Sequence, residues 1–199
     1  MNSATMTDAD IDRRELLPQL FPAPGDYLMV SGLAGASRDA AALTGDGERL
    51  FTMAGTMGAA VPFGLGMALA APGSQVAVIT GDGELLMDLG ALATVASQAP
   101  DNLSIVCIDN GRHGETGGQL GHTAIRTDLA RIAEGAGLPS VMAIGRPEEI
   151  AAAAKFLIEA TAPRFLLARV RPGPPVAYKR SLDPAACRRR FRDAYLGAG

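Results

Sequence analysis

The chain has 199 residues, of which 48% are hydrophobic, so it is long enough for one large α/β domain with a sizeable core. A formal net charge of −3 argues against a nucleic-acid partner, and the basic cluster Arg188–Arg190 is typical of a solvated or interface helix. The two cysteines have neither metal-ligand nor disulfide spacing, and the N-terminal stretch is polar, so we expect a reducing, cytoplasmic setting.

The first half of the chain is predicted to alternate helices and strands. A short helix at 13–20 precedes a strand at 27–31, a helix at 35–43 and a short strand at 51–53. No charged residue occurs from Leu50 to Gly81, which is long enough to cross a bilayer. Glycines and prolines interrupt this stretch, so we expect a Gly-rich buried helix at 58–70 and no membrane insertion.

The centre of the chain predicts a βαβ unit. Apolar runs at 76–80 and 103–108 are typical of buried strands, and the interval between them fits one helix, at 84–98, with two turns. In that helix, one face toward the core is formed by Leu85, Leu89, Leu92 and Ala96. A right-handed crossover in a parallel sheet brings the residues after both strands, Asp82 and Asn110, to the same carboxyl edge.

These strand ends carry groups suited to a diphosphate and a cation. Gly81 and Gly83 let the backbone approach phosphate closely, and the next helix, beginning near Glu84, offers free N–H groups. The carboxylate of Asp82 would repel phosphate unless a hard divalent cation lay between them, and Mg²⁺ prefers such oxygen ligands. The predicted metal ligands are therefore the Asp82 carboxylate, the Asn110 amide oxygen and the Arg112 backbone carbonyl.

The second half completes the expected three-layer αβα fold with a mostly parallel, Rossmann-like sheet. A glycine-dense, irregular stretch to residue 121 precedes a helix at 128–135, a strand at 141–144, a helix at 150–160 and a strand at 164–170. We divide the chain into a domain at 1–175 and a C-terminal arm with a terminal helix at 176–199. A second Gly-Asp-Gly, at 45–47, lacks a preceding strand and a following helix, so it predicts a surface turn without ligand.

Several segments together resemble the thiamine diphosphate and magnesium motif. They are similar to the cofactor-binding domain of the sulfopyruvate and phosphonopyruvate decarboxylase family, in the segments 54–58, 81–90, 109–111 and 116–119. The resemblance implies the thiamine diphosphate-binding fold, thiamine diphosphate and Mg²⁺ as cofactors, and decarboxylation of a small acidic 2-oxo acid, which is a lyase activity.

The same resemblance implies roles for individual residues. Met57 would be the apolar wedge under the cofactor, and the Gly55 carbonyl would accept a hydrogen bond from its 4′-amino group. His113 and Glu115 would transfer protons as the catalytic residues, and Arg112 or His113 would pair with an anionic substrate group. The candidate cofactor-binding residues are Gly32, Ser37, Gly55, Thr56, Met57, Gly81, Asp82, Gly83, Glu84, Asn110, Arg112 and His113.

The resemblance also implies a partner. In this family a glutamate from a separate pyrimidine-binding domain activates the cofactor, and no second domain of that kind fits in the chain. We therefore expect a hetero-oligomer with a pyrimidine-domain subunit, without which the chain is nearly inactive. Three alternatives stay open: an acetolactate synthase-like carboligase, the β subunit of a 2-oxo acid:ferredoxin oxidoreductase, and a non-catalytic scaffold. The charged run at 112–115 leaves the exact substrate open.

Overall fold

The computed structural model describes residues 9–53 and 55–196. In this part of the chain, six parallel strands form one sheet in the order β2-β1-β3-β4-β8-β7. A separate antiparallel hairpin pairs β5 with β6. The strands are β1 (Tyr27–Ser31), β2 (Leu50–Thr52), β3 (Gln75–Gly81), β4 (Leu103–Asp109), β5 (Arg112–His113), β6 (Gln119–Leu120), β7 (Ser140–Ile144) and β8 (Arg164–Arg169).

Helices cover both faces of the sheet, which confirms the predicted three-layer α/β architecture. One apolar cluster lies between the sheet and the helices α1, α2 and α7, and a second lies between the sheet and α3, α5, α6 and α8. A short helix, α4, directly follows β3. The helices are α1 (Arg13–Leu20), α2 (Ala34–Thr44), α3 (Ala60–Ala70), α4 (Asp82–Leu85), α5 (Gly90–Gln98), α6 (Leu129–Gly135), α7 (Ile150–Glu159) and α8 (Pro184–Leu196).

The central strands form where the sequence has its longest apolar runs. Every residue of β4 and β8 is buried, as expected for parallel strands with helices on both faces. The predicted strands and helices lie within about two residues of the observed ones, except between β3 and β4.

The predicted continuous helix at 84–98 is wrong, because a 3₁₀ turn at Leu86–Asp88 separates α4 from α5. Gly90 follows this turn, and glycine has a low helix propensity. The predicted core face nevertheless survives, since Leu85 and Leu92 are buried and Leu89 packs against the same cluster. The three residues of the 3₁₀ helix make one full turn. The apolar side chains before and after it therefore still face the sheet.

The stretch after β4 is also more regular than predicted. Two-residue strands β5 and β6 pair through His113 and Gln119, and the glycines between them turn the chain. Gly117 and Gly118 adopt φ values of +125° and +75°, which favour glycine.

The second Gly-Asp-Gly forms the predicted turn at the end of α2. Gly45 caps that helix with a φ of +64°. The carboxylate of Asp46 accepts a hydrogen bond from the Ser181 backbone N–H at 2.7 Å, and Arg190 lies 3.4 Å away. This turn therefore fastens the C-terminal arm, in its stretch 176–183 before α8, to the sheet domain. The predicted boundary at residue 175 stays a prediction.

The uncharged stretch at 50–81 is divided between β2, α3 and β3. None of the helices in the described ranges is long and apolar enough to cross a membrane.

Candidate functional site

A cleft opens where the chain changes direction across the sheet. From β1 the chain goes to one side, into β2, and then returns to the other side as β3. Open α/β sheets bind ligands at such a point, at the carboxyl ends of the strands. The cleft has a volume of about 670 Å³. Its lining includes many of the residues singled out by the sequence: Met57, Gly81, Asp82, Gly83, Glu84, Asn110, Arg112, His113 and Glu115.

Glu84 ties the segment after β3 to the segment after β1. Its Oε2 atom accepts hydrogen bonds from the Leu33 backbone N–H at 2.9 Å and from the Thr80 hydroxyl at 3.1 Å. A Cβ atom on Gly32 would lie 1.6 Å from this oxygen, so a larger residue there would displace the Glu84 carboxylate. Burial raises the pKa of Glu84, although the Leu33 N–H opposes this shift. Glu84 therefore contributes to the wall of the cleft, and Gly32 leaves the space that its carboxylate occupies.

Asp82 is a buried carboxylate beside a second one, Asp109. The Thr123 hydroxyl lies 2.7 Å from Asp109 Oδ1 and 3.2 Å from Asp82 Oδ2, so it bridges the two groups. Burial, together with the negative charge of Asp109, raises the pKa of Asp82 to about 7. Burial likewise raises the pKa of Asp109. Two carboxylates held this close in a buried site favour either a proton or a cation.

The residues present fit a divalent cation with oxygen ligands. Asp82, Asn110 and Arg112 line the same cleft. Asn110 Oδ1 accepts a hydrogen bond from the Arg112 backbone N–H at 3.0 Å, which leaves this oxygen a second lone pair. One carboxylate and one amide oxygen, with the further negative charge of Asp109 behind them, form a donor set that suits Mg²⁺ better than a soft metal.

The predicted catalytic residues lie on the hairpin that follows Asn110. A Cβ atom on Gly83 would lie 3.4 Å from His113 Nδ1, so the imidazole packs over the glycine of the motif. Glu115 also lines the cleft, and its Oε1 atom lies 3.5 Å from Arg38 Nη2. The Arg112 guanidinium donates to the Gly118 carbonyl at 2.9 Å. The structure therefore brings His113 and Glu115 to the same cavity as Asp82.

Four predicted cofactor residues lie outside the lining of the cleft in the described ranges: Gly32, Ser37, Gly55 and Thr56. Ser37 is fully buried, with its Oγ atom 3.2 Å from Ser31 Oγ. Gly55 and Thr56 are exposed in the loop before α3, and Gly55 adopts a φ of +96°. Ala54, in the same motif, lies outside the described residues. The roles of these residues stay predictions.

Sequence reasoning missed Asp109 and Thr123 as neighbours of Asp82. Asp109 ends the strand that precedes Asn110, so its position was visible, but nothing in the sequence indicates that it faces Asp82. Thr123 belongs to a 3₁₀ helix, His122–Ala124, far along the chain from either carboxylate. Only the folded chain shows that its hydroxyl lies between them.

The fold and the cleft define a doubly wound α/β domain that binds its ligand at a topological switch point. Residues 36–168 match the family model described as "Thiamine pyrophosphate enzyme, C-terminal TPP binding domain". The chain belongs to this family.

The relatives agree with this assignment, and a solved structure shows the same fold. Phosphonopyruvate decarboxylase of Streptomyces hygroscopicus is 38% identical over 179 residues, which are 89% of this chain and 43% of that protein. Sulfopyruvate decarboxylase subunit beta of Methanococcus maripaludis is 28% identical over 93% of this chain and 98% of its own length. A thiamine diphosphate-dependent 4-hydroxybenzoylformate decarboxylase of Rhodococcus jostii RHA1 has the same fold, with a TM-score of 0.67 and 22% identity. The alignment covers 83% of this chain and 33% of the Rhodococcus chain. The chain thus spans less than half of the Streptomyces protein.

Proposed function

We propose that the chain binds thiamine diphosphate and Mg²⁺ in this cleft as one subunit of a 2-oxo acid decarboxylase. The proposed substrate is a small acidic 2-oxo acid of the sulfopyruvate or phosphonopyruvate type. The names of the two curated relatives support this substrate class. The observation that carries the cofactor proposal is the buried Asp82 carboxylate, which lines the switch-point cleft together with Asn110.

In this proposal the chain holds and orients the cofactor. When bound, thiamine diphosphate supplies the nucleophilic carbon and the electron sink that decarboxylation requires. Asp82, Asn110 and the Arg112 carbonyl would hold Mg²⁺, and the glycines of the motif leave room for the diphosphate. Met57 lines the cleft and is about half exposed, so its flexible side chain is free to pack against a bound ring.

Proton transfer falls to the hairpin after Asn110. His113 packs against Gly83 at the wall of the cleft, so its imidazole would be available to give or take a proton from a substrate bound there. Glu115 lines the same cleft, 3.5 Å from Arg38, and is the second proposed acid–base group.

A pyrimidine-domain partner is part of the proposal. Helix α3 is apolar on all sides, and such helices are normally covered on both faces. Its outer face instead leaves Phe63 37% and Leu69 50% exposed. The Methanococcus relative is named as a beta subunit and has nearly the length of this chain. The partner would cover this face and supply the activating glutamate, in a cytoplasmic hetero-oligomer.

The proposal is tested by Mg²⁺-dependent binding of thiamine diphosphate to the isolated chain. We expect Asp82→Asn to weaken this binding at least tenfold in isothermal titration, because the metal loses its one charged side-chain ligand. Asp101→Asn changes an exposed aspartate in the turn before β4 and is the matched control, with no expected effect. Equal affinities of the wild type and Asp82→Asn would contradict the proposed metal bridge.

A further inference from the structure

The lining of the cleft is rich in arginines, and two of them have no role in the proposed function. Four arginines line the cavity: Arg13, Arg38, Arg112 and Arg180. Arg13 is neutralised by Asp39 in a buried ion pair of 2.7 Å, and the Arg112 guanidinium is held by the Gly118 carbonyl. The remaining two, Arg38 on α2 and Arg180 on the C-terminal arm, are the candidates for binding a ligand.

Hydrogen bonds hold the backbone of the C-terminal arm before and after Arg180, so the backbone position from which this side chain extends is fixed. Before it, the Val176 backbone N–H donates to Asp39 Oδ1 at 3.0 Å. After it, the Ser181 backbone N–H donates to Asp46 Oδ2 at 2.7 Å. The arm therefore places a guanidinium at the wall of the cleft through two backbone contacts that do not involve the Arg180 side chain.

The Arg180 guanidinium is incompletely satisfied. Its Nη1 atom is buried and has no hydrogen-bond partner among the described residues. Burial and the positive charge of Arg38 lower the pKa of Arg180, although the charges of Asp46 and Glu115 oppose this shift. An unpaired buried donor on a charged group is costly, and an oxyanion in the cleft would satisfy it.

The neighbouring carboxylates, Asp46 and Glu115, neutralise this pair only in part. Asp46 accepts from the Ser181 N–H and lies 3.4 Å from Arg190. Glu115 lies 3.5 Å from Arg38, but both of these side chains are about half exposed, so their ion pair is weak. Three arginines, Arg38, Arg180 and Arg190, therefore outnumber the two carboxylates, so this part of the site carries a net positive charge.

We propose that Arg38 and Arg180 form a subsite for the tetrahedral oxyanion at the end of the substrate, a sulfonate or phosphonate. This assignment rests on the proposed function. The diphosphate of the cofactor is the other tetrahedral oxyanion that the cleft would hold, but in the proposed function the segment at 81–83 and a cation on Asp82 and Asn110 would bind it. A dianionic substrate carries a sulfonate or phosphonate in addition to its carboxylate. The planar guanidinium groups of Arg38 and Arg180 would bind this terminal oxyanion.

The test uses methylphosphonate and methanesulfonate as probes of this anionic group. Each is titrated into the full chain saturated with thiamine diphosphate and Mg²⁺, and binding is measured by calorimetry. We expect saturable binding that becomes about tenfold weaker in Arg38→Gln and in Arg180→Gln, because each loses charge-assisted hydrogen bonds. Arg188→Gln removes an exposed arginine of α8 and should bind the probes like the wild type. The affinity for thiamine diphosphate should change less than twofold in all three variants.

Three results would overturn the assignment, and they are distinguishable. Unchanged probe binding in the double variant Arg38→Gln/Arg180→Gln would remove the subsite while leaving the proposed cofactor function intact. Competition between the probes and thiamine diphosphate, with tenfold weaker cofactor binding in the variants, would assign both arginines to the diphosphate. A wild-type chain that binds no thiamine diphosphate with Mg²⁺ would overturn the proposed function and the assignment with it.

Discussion

The space beside Gly32 is filled by the carboxylate of Glu84, which couples two segments that are distant in sequence. The Cβ atom of an alanine at position 32 would overlap Oε2, and the surrounding carboxyl atoms lie within 2.4 Å. Gly32→Ala should therefore displace Glu84 and lower the free energy of unfolding by about 1–3 kcal/mol, which chemical denaturation would measure. In the background of Glu84→Ala the same substitution should be nearly neutral, since the overlapping atoms are gone.

Gly66→Ala is the matched control for Gly32→Ala. A Cβ atom at Gly66 would meet nothing within 4 Å, and the residue lies inside α3, where alanine is favoured by up to about 1 kcal/mol. We expect no loss of stability in this variant. Additive effects of Gly32→Ala and Glu84→Ala in a double-mutant cycle would show that the two residues do not compete for space.

The raised pKa of Asp82 makes the metal-free protein sensitive to pH. Its pKa is about 7 in the fold and near 3.8 in the unfolded chain, so the folded state holds this proton more tightly. The contribution of Asp82 to stability is then complete below pH ~4 and is lost as the pH rises through ~7. In EDTA at pH 8, Asp82→Asn should be more stable than the wild type by roughly 2–4 kcal/mol, and near pH 4 the two should converge.

Mg²⁺ should reverse this order. The ion competes with the proton for the Asp82 carboxylate, so Mg²⁺ with thiamine diphosphate should stabilise the wild type more than the variant at pH 8. Thermal unfolding at both pH values, with and without the ligands, measures the effect. If metal-free Asp82→Asn were less stable than the metal-free wild type at pH 8, burial of the ionised Asp82 carboxylate would not be costly.

The short 3₁₀ helix His122–Ala124 contributes to the site by placing one hydroxyl between two carboxylates. Replacing Thr123 by Val leaves Asp82 and Asp109 without their shared donor. We expect Thr123→Val to lower the free energy of unfolding by about 1–3 kcal/mol and to weaken Mg²⁺-dependent cofactor binding, while Thr123→Ser retains both. Thr94→Val, on the exposed side of α5, is the control and should change neither.

Elements that depend on a local sequence pattern could be predicted, and features that depend on contacts between distant residues could not. The strands at the centre of the sheet are specified by apolar runs, and Gly81, Asp82 and Asn110 reach the cleft because β3 and β4 are parallel neighbours. The break between α4 and α5 depends on Gly90 and on tertiary packing, so helical periodicity alone did not reveal it. The contacts of Thr123 and Arg180 join residues far apart in the chain, and no local pattern predicts them.

On one side of the α/β sandwich, helix α3 leaves an apolar and uncharged surface exposed. On α3 the exposed residues are Pro62, Phe63, Gly66, Leu69 and Ala70. The opposite layer differs, because α7 exposes the charged Lys155 and Glu159 beside Ile158. This asymmetry supports assembly through the α3 side.

Leu69→Asp should therefore prevent association with the proposed pyrimidine-domain subunit without unfolding the chain. Leu69 is half exposed, so a charge there is solvated in the free chain but would be buried in an interface at a cost of several kcal/mol. Sedimentation of the co-expressed subunits measures assembly, and thermal unfolding of the isolated chain checks the fold. Ile158→Asp is the control on α7, since Ile158 is even more exposed, at 66%, and lies in the other helical layer. Assembly that survives Leu69→Asp but is lost in Ile158→Asp would place the partner on the α7 side instead.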